Sequence, residues 1–513
     1  MENFLKTLLL IPLLCLLTAC QSLPTLDGRS VSEHLPADTP SLLASAVQPQ
    51  VAAHAPLSGL YPLADGLDAF AARIGLADAA EHTLDIQYYI WRNDTSGRML
   101  IQHIYQAAER GVRVRLLLDD NNTRGMDSLW AAVDEHPNIE VRLFNPFANR
   151  RWRALGYLTD VERLKRRMQN KSLTADRQAT IIGGRNIGDE YFDFGDGALF
   201  IDLDVLAVGP VVAAVATDFD RYWASASAYP LDRLVRERSH IARKTERLLQ
   251  GEIPATAQAA YFNQAWQQSP LSLALQHGDL PLEWARMELV SDDPAKALGQ
   301  ADPQQSVLVH LDEAMGTPRQ SLWLVSPYFV PTANGTDALA QLVRQGVQVN
   351  VLTNSLAATD VPLVHSGYVP YRTELLQAGV NLYEFKPVQH SKGRRDRGLV
   401  GNSASSLHAK TVAIDRQRLF VGSFNFDPRS AHLNTEMGLV IHSPALAADI
   451  TDTLVQRLPE SSYRLLPNGQ NGVLWHDATA QPDAAILQRE PQTGWWRRMW
   501  VKVLSWLPLE SML

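Results

Sequence analysis

Leu407–Asn425 reads LHAKTVAIDRQRLFVGSFN. His408, Lys410 and Val412 alternate with Ala409, Thr411 and Ala413, which predicts one short strand. Leu419–Asn425 predicts a second, and Asp415-Arg416-Gln417 between them has turn chemistry. Side chains repeat every two residues along a strand, so His408 and Lys410 share a face, as do Ser423 and Asn425. If the strands pair as a hairpin, an imidazole, an ammonium, a hydroxyl and an amide converge on a space about the size of a phosphate.

The pattern occurs twice. Gln169-Asn170-Lys171-Ser172-Leu173-Thr174-Ala175-Asp176 is followed by Gly183-Gly184-Arg185-Asn186. Lys171, Asp176, Gly183 and Asn186 precede Lys410, Asp415, Gly422 and Asn425 by 239 residues, and both copies turn on Asp-Arg-Gln. The spacing His-x-Lys-x4-Asp-x6-Gly-Ser-x-Asn resembles the phospholipase D superfamily, whose members carry it twice and build one active site from both copies. The resemblance places a histidine at 169, where this chain has Gln169.

The surrounding sequence repeats with the motif. Leu67–Leu76 predicts a helix, Thr83–Trp91 a strand, Met99–Arg110 a helix, and Val112–Leu118 and Ile139–Phe144 two more strands. Ser321–Phe329, Ala338–Val349 and Gly379–Pro387 return the pattern at offsets of 235 to 241 residues. The reading is an α/β protein of two duplicated lobes, with mixed sheets flanked by helices. Pseudo-twofold symmetry would bring the paired motifs to the lobe interface. The expected boundaries are a leader at 1–19, a tether at 20–58 and lobe 1 at 59–235. An insert at 236–300 would include a charged helix at Arg236–Leu249 and the stretch Trp284–Lys296, whose residues suggest no role. Lobe 2 would follow at 301–465 and a tail at 466–513.

Composition narrows the class. Apolar residues make up 46% and charged residues 20% of 513, the profile of a folded chain long enough for two domains. The net charge of −8 disfavours a protein that works by gripping nucleic-acid backbone. Lys6 precedes an apolar run from Thr7 to Leu17, and Leu17-Thr18-Ala19-Cys20 resembles a bacterial lipobox. That resemblance implies cleavage before Cys20 and its acylation, giving a cell-envelope lipoprotein whose body lies outside the cytoplasm. Cys15 would leave with the leader and Cys20 would carry lipid, so the mature chain would have no free thiol.

Two further features bear on lipids. Arg150, Arg151, Arg153, Arg163, Lys165, Arg166 and Arg167 precede the first motif. Lys386, Lys392, Arg394, Arg395 and Arg397 precede the second. Placed so, these runs suggest steering of anionic headgroups. At the C-terminus, Trp495, Trp496, Met499, Trp500, Val503, Leu504, Trp506 and Leu507 share half of a helical wheel. Arg497, Arg498, Lys502 and Ser505 hold the other half, and Val501 is the exception. This predicts an amphipathic helix in a membrane surface.

Several stretches, including Gly183–Phe192, Asp202–Val205, Tyr328–Thr332, Leu352–Ala358 and Gly422–Ser430, resemble the bacterial cardiolipin synthases of the C type. The resemblance implies transfer of a phosphatidyl group to phosphatidylglycerol through a phosphohistidine, with phosphatidylethanolamine as a second candidate lipid. It needs no metal or other cofactor, and it names no nucleic acid or protein partner. It gives His408 acid–base duty and makes Lys171, Lys410, Asn186 and Asn425 the groups that hold phosphate, with Ser423 and Gly184 beside them. Glu436 would orient the histidine of the second motif. Counting back from Pro444 to Glu436, and equally from Pro210, carries the same role to Asp202 in the first. Asp176 and Asp415 belong to the motif and are expected to shape its turns. A glutamine can hydrogen-bond a phosphate oxygen but neither attacks nor titrates, so Gln169 leaves activity in question. The alternatives are a hydrolase of the same fold and a lipid-binding lipoprotein without catalysis. A nuclease ranks behind both.

Overall fold

The structure, a computed structural model, describes residues 22–194, 200–235, 280–387, 406–469 and 472–506, with positions 271 and 273. The leader, Cys20, the expected Arg236–Leu249 helix, Leu507 and Lys392, Arg394, Arg395 and Arg397 lie outside the described residues.

Lobe 1 contains β1 (Ser58–Leu63), β2 (Thr83–Tyr88), β3 (Arg113–Asp119), β4 (Ile139–Phe144), β5 (Ser172–Ala175), β6 (Ala179–Gly183), β7 (Phe200–Ile201), β8 (Asp204–Val208) and β9 (Ala228–Pro230). β10 (Glu283–Ser291) leads into lobe 2, which contains β11 (Ser321–Val325), β12 (Gln348–Asn354), β13 (Asn381–Phe385), β14 (Ser406–Leu407), β15 (Thr411–Ile414), β16 (Arg418–Gly422) and β17 (Met437–His442). β18 (Ser462–Asn468), β19 (Gly472–His476) and β20 (Ile486–Leu487) complete it.

β2, β3 and β4 run parallel, with the Thr95–Glu109 and Asp127–Asp134 helices in their connections. The motif hairpin β5–β6 pairs antiparallel with β2, and β8 and β1 follow. Lobe 2 repeats this with β11, β12 and β13 parallel, then the hairpin β15–β16, then β17 and β10. Strand β2 is buried along its whole length, as expected where helices cover one face and the other lobe the opposite face.

β1 pairs with β10, and that pair joins the two sheets into one ladder at the pseudo-twofold axis. An apolar layer lies between the lobes, with Leu60, Ile182 and Val205 on one side and Trp323, Val421 and Leu439 on the other. The paired motifs therefore face each other.

Three expected boundaries move. Trp284–Ser291, read as insert, is the central strand that stitches the lobes together. Its mixed burial, set by two sheets at once, hid the strand period. Residues 466–487, read as tail, extend the sheet of lobe 2 as β18, β19 and β20. Residues 22–58 are no free tether. Arg29 donates to the Ser225 and Ala228 carbonyls, Ser30 bonds Glu140, and His34 Nδ1 lies 2.6 Å from Asp220. Arg115 and Arg113 take the Ser32 and Glu33 carbonyls, and Ser41 caps a helix from Leu42 to Ala53. Polar side chains of lobe 1 satisfy the strap's backbone, which its Pro- and Ala-rich composition did not disclose.

Candidate active site

The two motif turns are built alike. Asp176 and Arg177 have φ of 49° and 56°, and Asp415 and Arg416 both 54°, the left-handed pairs of a tight hairpin. The Asp176 carboxylate accepts the backbone N–H groups of Glu81, His82 and Thr83. Asp415 accepts those of Arg319, Gln320 and Ser321. Each aspartate thus ties its hairpin to the start of the neighbouring strand, at the end of the hairpin remote from the lysine.

At the other end, each motif enters the site by pairing with the opposite lobe. The Gln169 N–H donates to the Thr435 carbonyl at 2.8 Å, and the Thr435 N–H to Arg167 at 2.8 Å. Likewise β14 pairs with β7, and the His408 N–H donates to the Ile201 carbonyl at 2.8 Å. Residues 435 and 201 each precede an acid, Glu436 and Asp202. The acids therefore cross over. Asp202 of lobe 1 accepts from His408 Nδ1 of lobe 2 at 2.5 Å. Glu436 of lobe 2 follows the residue paired with Gln169 of lobe 1. The expectation that each acid serves its own copy is corrected, because the segment after each acid lies in its own sheet while the segment before it reaches across.

Lys171 and Lys410 fold alike, each ammonium donating to the carbonyl two residues back, at Gln169 and His408. Both are buried, and burial lowers both pKa values, that of Lys171 to about 7 against the opposing pull of Glu436. Burial likewise pushes Glu436 up to about 7 against the pull of Lys171. Its oxygens accept from the Ser423 and Ser430 hydroxyls at 2.5 and 2.9 Å. His408 is lowered, first by burial and then by Lys410, against the pull of Asp202. Burial opposes ionisation of Asp202 too, yet His408, Lys410 and Arg185 outweigh it and bring it to about 2. The arrangement is an ionised Asp202 accepting Nδ1–H from a neutral imidazole, which leaves Nε2 as the basic nitrogen. Tyr191 packs edge-on against that ring at 5.2 Å.

The remaining site residues divide. Ser423 and Gly184 were expected beside the phosphate. Ser423 instead holds Glu436, and a Cβ on Gly184 would lie 2.1 Å from an Asp202 oxygen, so that glycine makes room for the acid. Asn186, expected to hold phosphate, joins the Ile90 N–H to the Tyr191 hydroxyl at 3.1 Å each. Asn425 keeps a buried side-chain oxygen with no partner. In the basic run before the first motif Arg151 is exposed and Arg166 donates to the Lys296 and His432 carbonyls, while the other cations are paired. Arg150 and Arg153 bond Asp120 and Asp127, Arg163 bonds Asp160, Arg167 bonds Asp119 and Lys165 bonds Glu162. Asp119 and Asp120 are buried and need partners, which Arg167, Arg150 and Arg153 supply. Before the second motif, Lys386 bonds Asp477.

Sequence reasoning missed the support behind Glu436. Its N–H donates to Asp292, which also binds Lys296 at 2.8 Å and the Val307 N–H. The carboxylate and ammonium four residues apart after β10 were the available signal. Asp204, held by Arg73 at 2.8 Å, was likewise unassigned. Among the described residues no cluster of three metal-binding side chains occurs.

A family profile described as "Cardiolipin synthase, PLD-like domain" matches residues 74–223 and 311–458, the two lobes in turn. The chain belongs to this phospholipase D-like cardiolipin synthase family. It is 49% identical to cardiolipin synthase C of Escherichia coli strain K12 over 476 residues, 92% of this chain and 99% of that one. An uncharacterized protein of Helicobacter pylori strain J99 is 32% identical, over 86% of this chain and 88% of its own length. Among solved structures, phosphatidylserine synthase of Haemophilus influenzae Rd KW20 superposes with a TM-score of 0.52 at 14% identity, covering 83% of this chain and 92% of that one. That likeness is one of fold, and it agrees with two duplicated α/β lobes. Within the family frame, position 169 is where this cardiolipin synthase-like chain departs from the motif.

Proposed function

We propose that this chain is a phosphatidyltransferase scaffold that makes cardiolipin from phosphatidylglycerol, and that Gln169 suppresses its turnover. The observation that carries the reading is the cross-lobe Asp202–His408 pair set between Lys171 and Lys410. In the complete reaction a histidine nitrogen at position 169 would attack phosphorus. The N–P bond forms as the P–O bond to the headgroup breaks, and protonated His408 gives its proton to the leaving alkoxide. Neutral His408 would then take a proton from the hydroxyl of a second phosphatidylglycerol, whose oxygen displaces the N–P bond. An incoming phosphodiester anion favours the protonated imidazole needed for the first step. Lys171, Lys410 and Asn425 would hold the equatorial oxygens. Asp202 is a positioning residue for His408 of the opposite lobe, and Glu436 would be one for a histidine at position 169.

The envelope assignment belongs to the same proposal. Acylation at Cys20 would tether the body outside the cytoplasm, and the Trp495–Leu504 helix would rest in the membrane surface. This helix docks through Val501, only 3% exposed, and Arg497, which donates to the Thr359 carbonyl at 2.8 Å. Docking by the polar half leaves Trp495, Trp496, Trp500 and Trp506 between 58% and 72% exposed. No described helix is long and apolar enough to cross a membrane.

The test is to incubate the purified Gln169→His chain with phosphatidylglycerol vesicles and identify the products. Cardiolipin and glycerol in equal amounts support transfer. Phosphatidic acid and glycerol without cardiolipin would make the chain a hydrolase instead.

A further inference from the structure

The two halves of the site differ in what the corresponding tyrosine hydroxyl bonds. Tyr89 and Tyr328 occupy corresponding places 239 residues apart, each beyond the strand, β2 or β11, that pairs with the motif hairpin of its lobe. Tyr89 lies 5.8 Å from the Lys171 ammonium and hydrogen-bonds the neutral Asn122, and the carboxylate whose charge reaches it, Asp119, is already held by Arg167 and the Met168 N–H. The Tyr328 hydroxyl donates instead to a carboxylate, Asp360, at 2.9 Å from both oxygens.

Asp360 is held against the His408 half of the site from two sides. It follows the turn Ser355–Thr359, which begins at Asn354, and Asn354 clasps Leu407 in both directions at 3.0 and 2.9 Å. Leu407 immediately precedes His408. On the second side Arg497 fixes the Thr359 carbonyl at 2.8 Å. Asp360 is half-buried, and its charge acts on the Lys410 ammonium, but among the described residues it forms no ion pair. A carboxylate with one phenol donor keeps several lone pairs to satisfy, and in a site for an anion it repels the phosphate. Lys410 offsets part of that charge, and hydrogen-bond donors on the bound molecule would satisfy the remaining lone pairs.

We propose that the Tyr328–Asp360 pair recognises the headgroup of the phospholipid on the His408 side, and that it takes hydrogen-bond donors: glycerol hydroxyls or an ethanolamine ammonium. The Tyr89–Asn122 half makes no such demand, so the two lipids of the reaction are told apart by the lobe they enter. This rests on the phosphatidyltransferase reading and names the specificity element of that site.

Gln169 makes the chain as it stands suitable for equilibrium binding. Dihexanoyl phosphatidylglycerol, phosphatidylethanolamine and phosphatidylmethanol, the last carrying no headgroup donor, are titrated calorimetrically into the full chain and its Asp360→Ala and Asp360→Asn variants. The parent chain is expected to prefer a donor-bearing lipid over phosphatidylmethanol by about tenfold in Kd. Asp360→Ala should weaken that lipid by a similar factor while tightening phosphatidylmethanol, because a negative charge has left the phosphate's surroundings. A merely structural role would weaken both. The proposal is overturned if the variants move all three lipids in the same direction, or if the parent chain shows no headgroup preference. Binding of phosphatidylmethanol without preference defeats only this inference, whereas no binding of any lipid defeats the transferase reading as well. Phosphatidylglycerol and phosphatidylethanolamine, compared with each other, say which donor Asp360 takes.

Discussion

Asp202 and His408 belong to different lobes, and that crossing decides what single substitutions do. In a Gln169→His background, Asp202→Asn replaces the acceptor that fixes the His408 tautomer. The expected loss is about 10² to 10⁴ in kcat with little change in KM, measured by initial rates of transfer. Burial and Lys410 hold the His408 pKa below its reference of 6.5. The imidazole is therefore neutral through neutral pH, and the base-dependent step should fail only as pH falls below that reference. A His408 imidazole that titrates at or above 6.5 in the lipid-free chain, followed by NMR, would contradict the assignment. His408, Lys410, Lys171 and the gap at Gln169 were legible because their spacing in sequence is itself the chemistry. The count back from Pro210 and Pro444 found both acids. It could not show which imidazole each one meets, because intralobe correspondence carries no information about contacts across the axis. Asn186 and Ser423 bond the protein's own Tyr191 and Glu436, and Gly184 makes room for Asp202, none of which motif spacing discloses.

At the scale of elements, the hairpin turns and the C-terminal helix make separable predictions. Asp176 is buried and satisfies three backbone N–H groups, so Asp176→Ala should cost about 2–4 kcal/mol in urea unfolding. Lipid binding by the variant that remains folded should be unchanged, since Asp176 lies at the far end of the hairpin. Asp415 is half-buried, and burial opposes its ionisation, but the N–H groups of Ser321, Gln320 and Arg319 outweigh this and lower its pKa. A lowered carboxylate pKa contributes stability above the ordinary value of 3.8 that is lost as pH falls below it. Asp415→Asn should therefore narrow its stability gap to the parent as pH is taken from 5 to about 3. The Trp495–Leu504 helix should be required for membrane association. Trp496→Ser with Trp500→Ser is expected to reduce co-sedimentation with phosphatidylglycerol vesicles about tenfold or more while leaving the melting temperature in place. Unchanged co-sedimentation would assign the exposed tryptophans another role. The wheel predicted this helix, and Val501, its one exception, proves to be the residue that docks it. Central strand β10 was not legible, because a strand bordered by two sheets and mixed in burial shows no clean alternation.

For the whole molecule, duplication is the fact from which the site follows. Two copies of one α/β lobe, joined through β1 and β10, place both lysines and both acids at one interface. The lobe pattern was legible because each copy corroborated the other at a nearly constant offset. The strap at 22–58 and the three strands after residue 461 were not, because no second copy of them exists to compare. The same symmetry makes Gln169 conspicuous: one lobe offers His408 and the other, at the corresponding place, a side chain that cannot attack phosphorus. The measurement that tests this most directly is the lipid content of cardiolipin-deficient cells expressing this chain beside its Gln169→His version. The account predicts little or no cardiolipin from the first and clear accumulation from the second. Equal cardiolipin from both would contradict it, since His408 would then suffice alone.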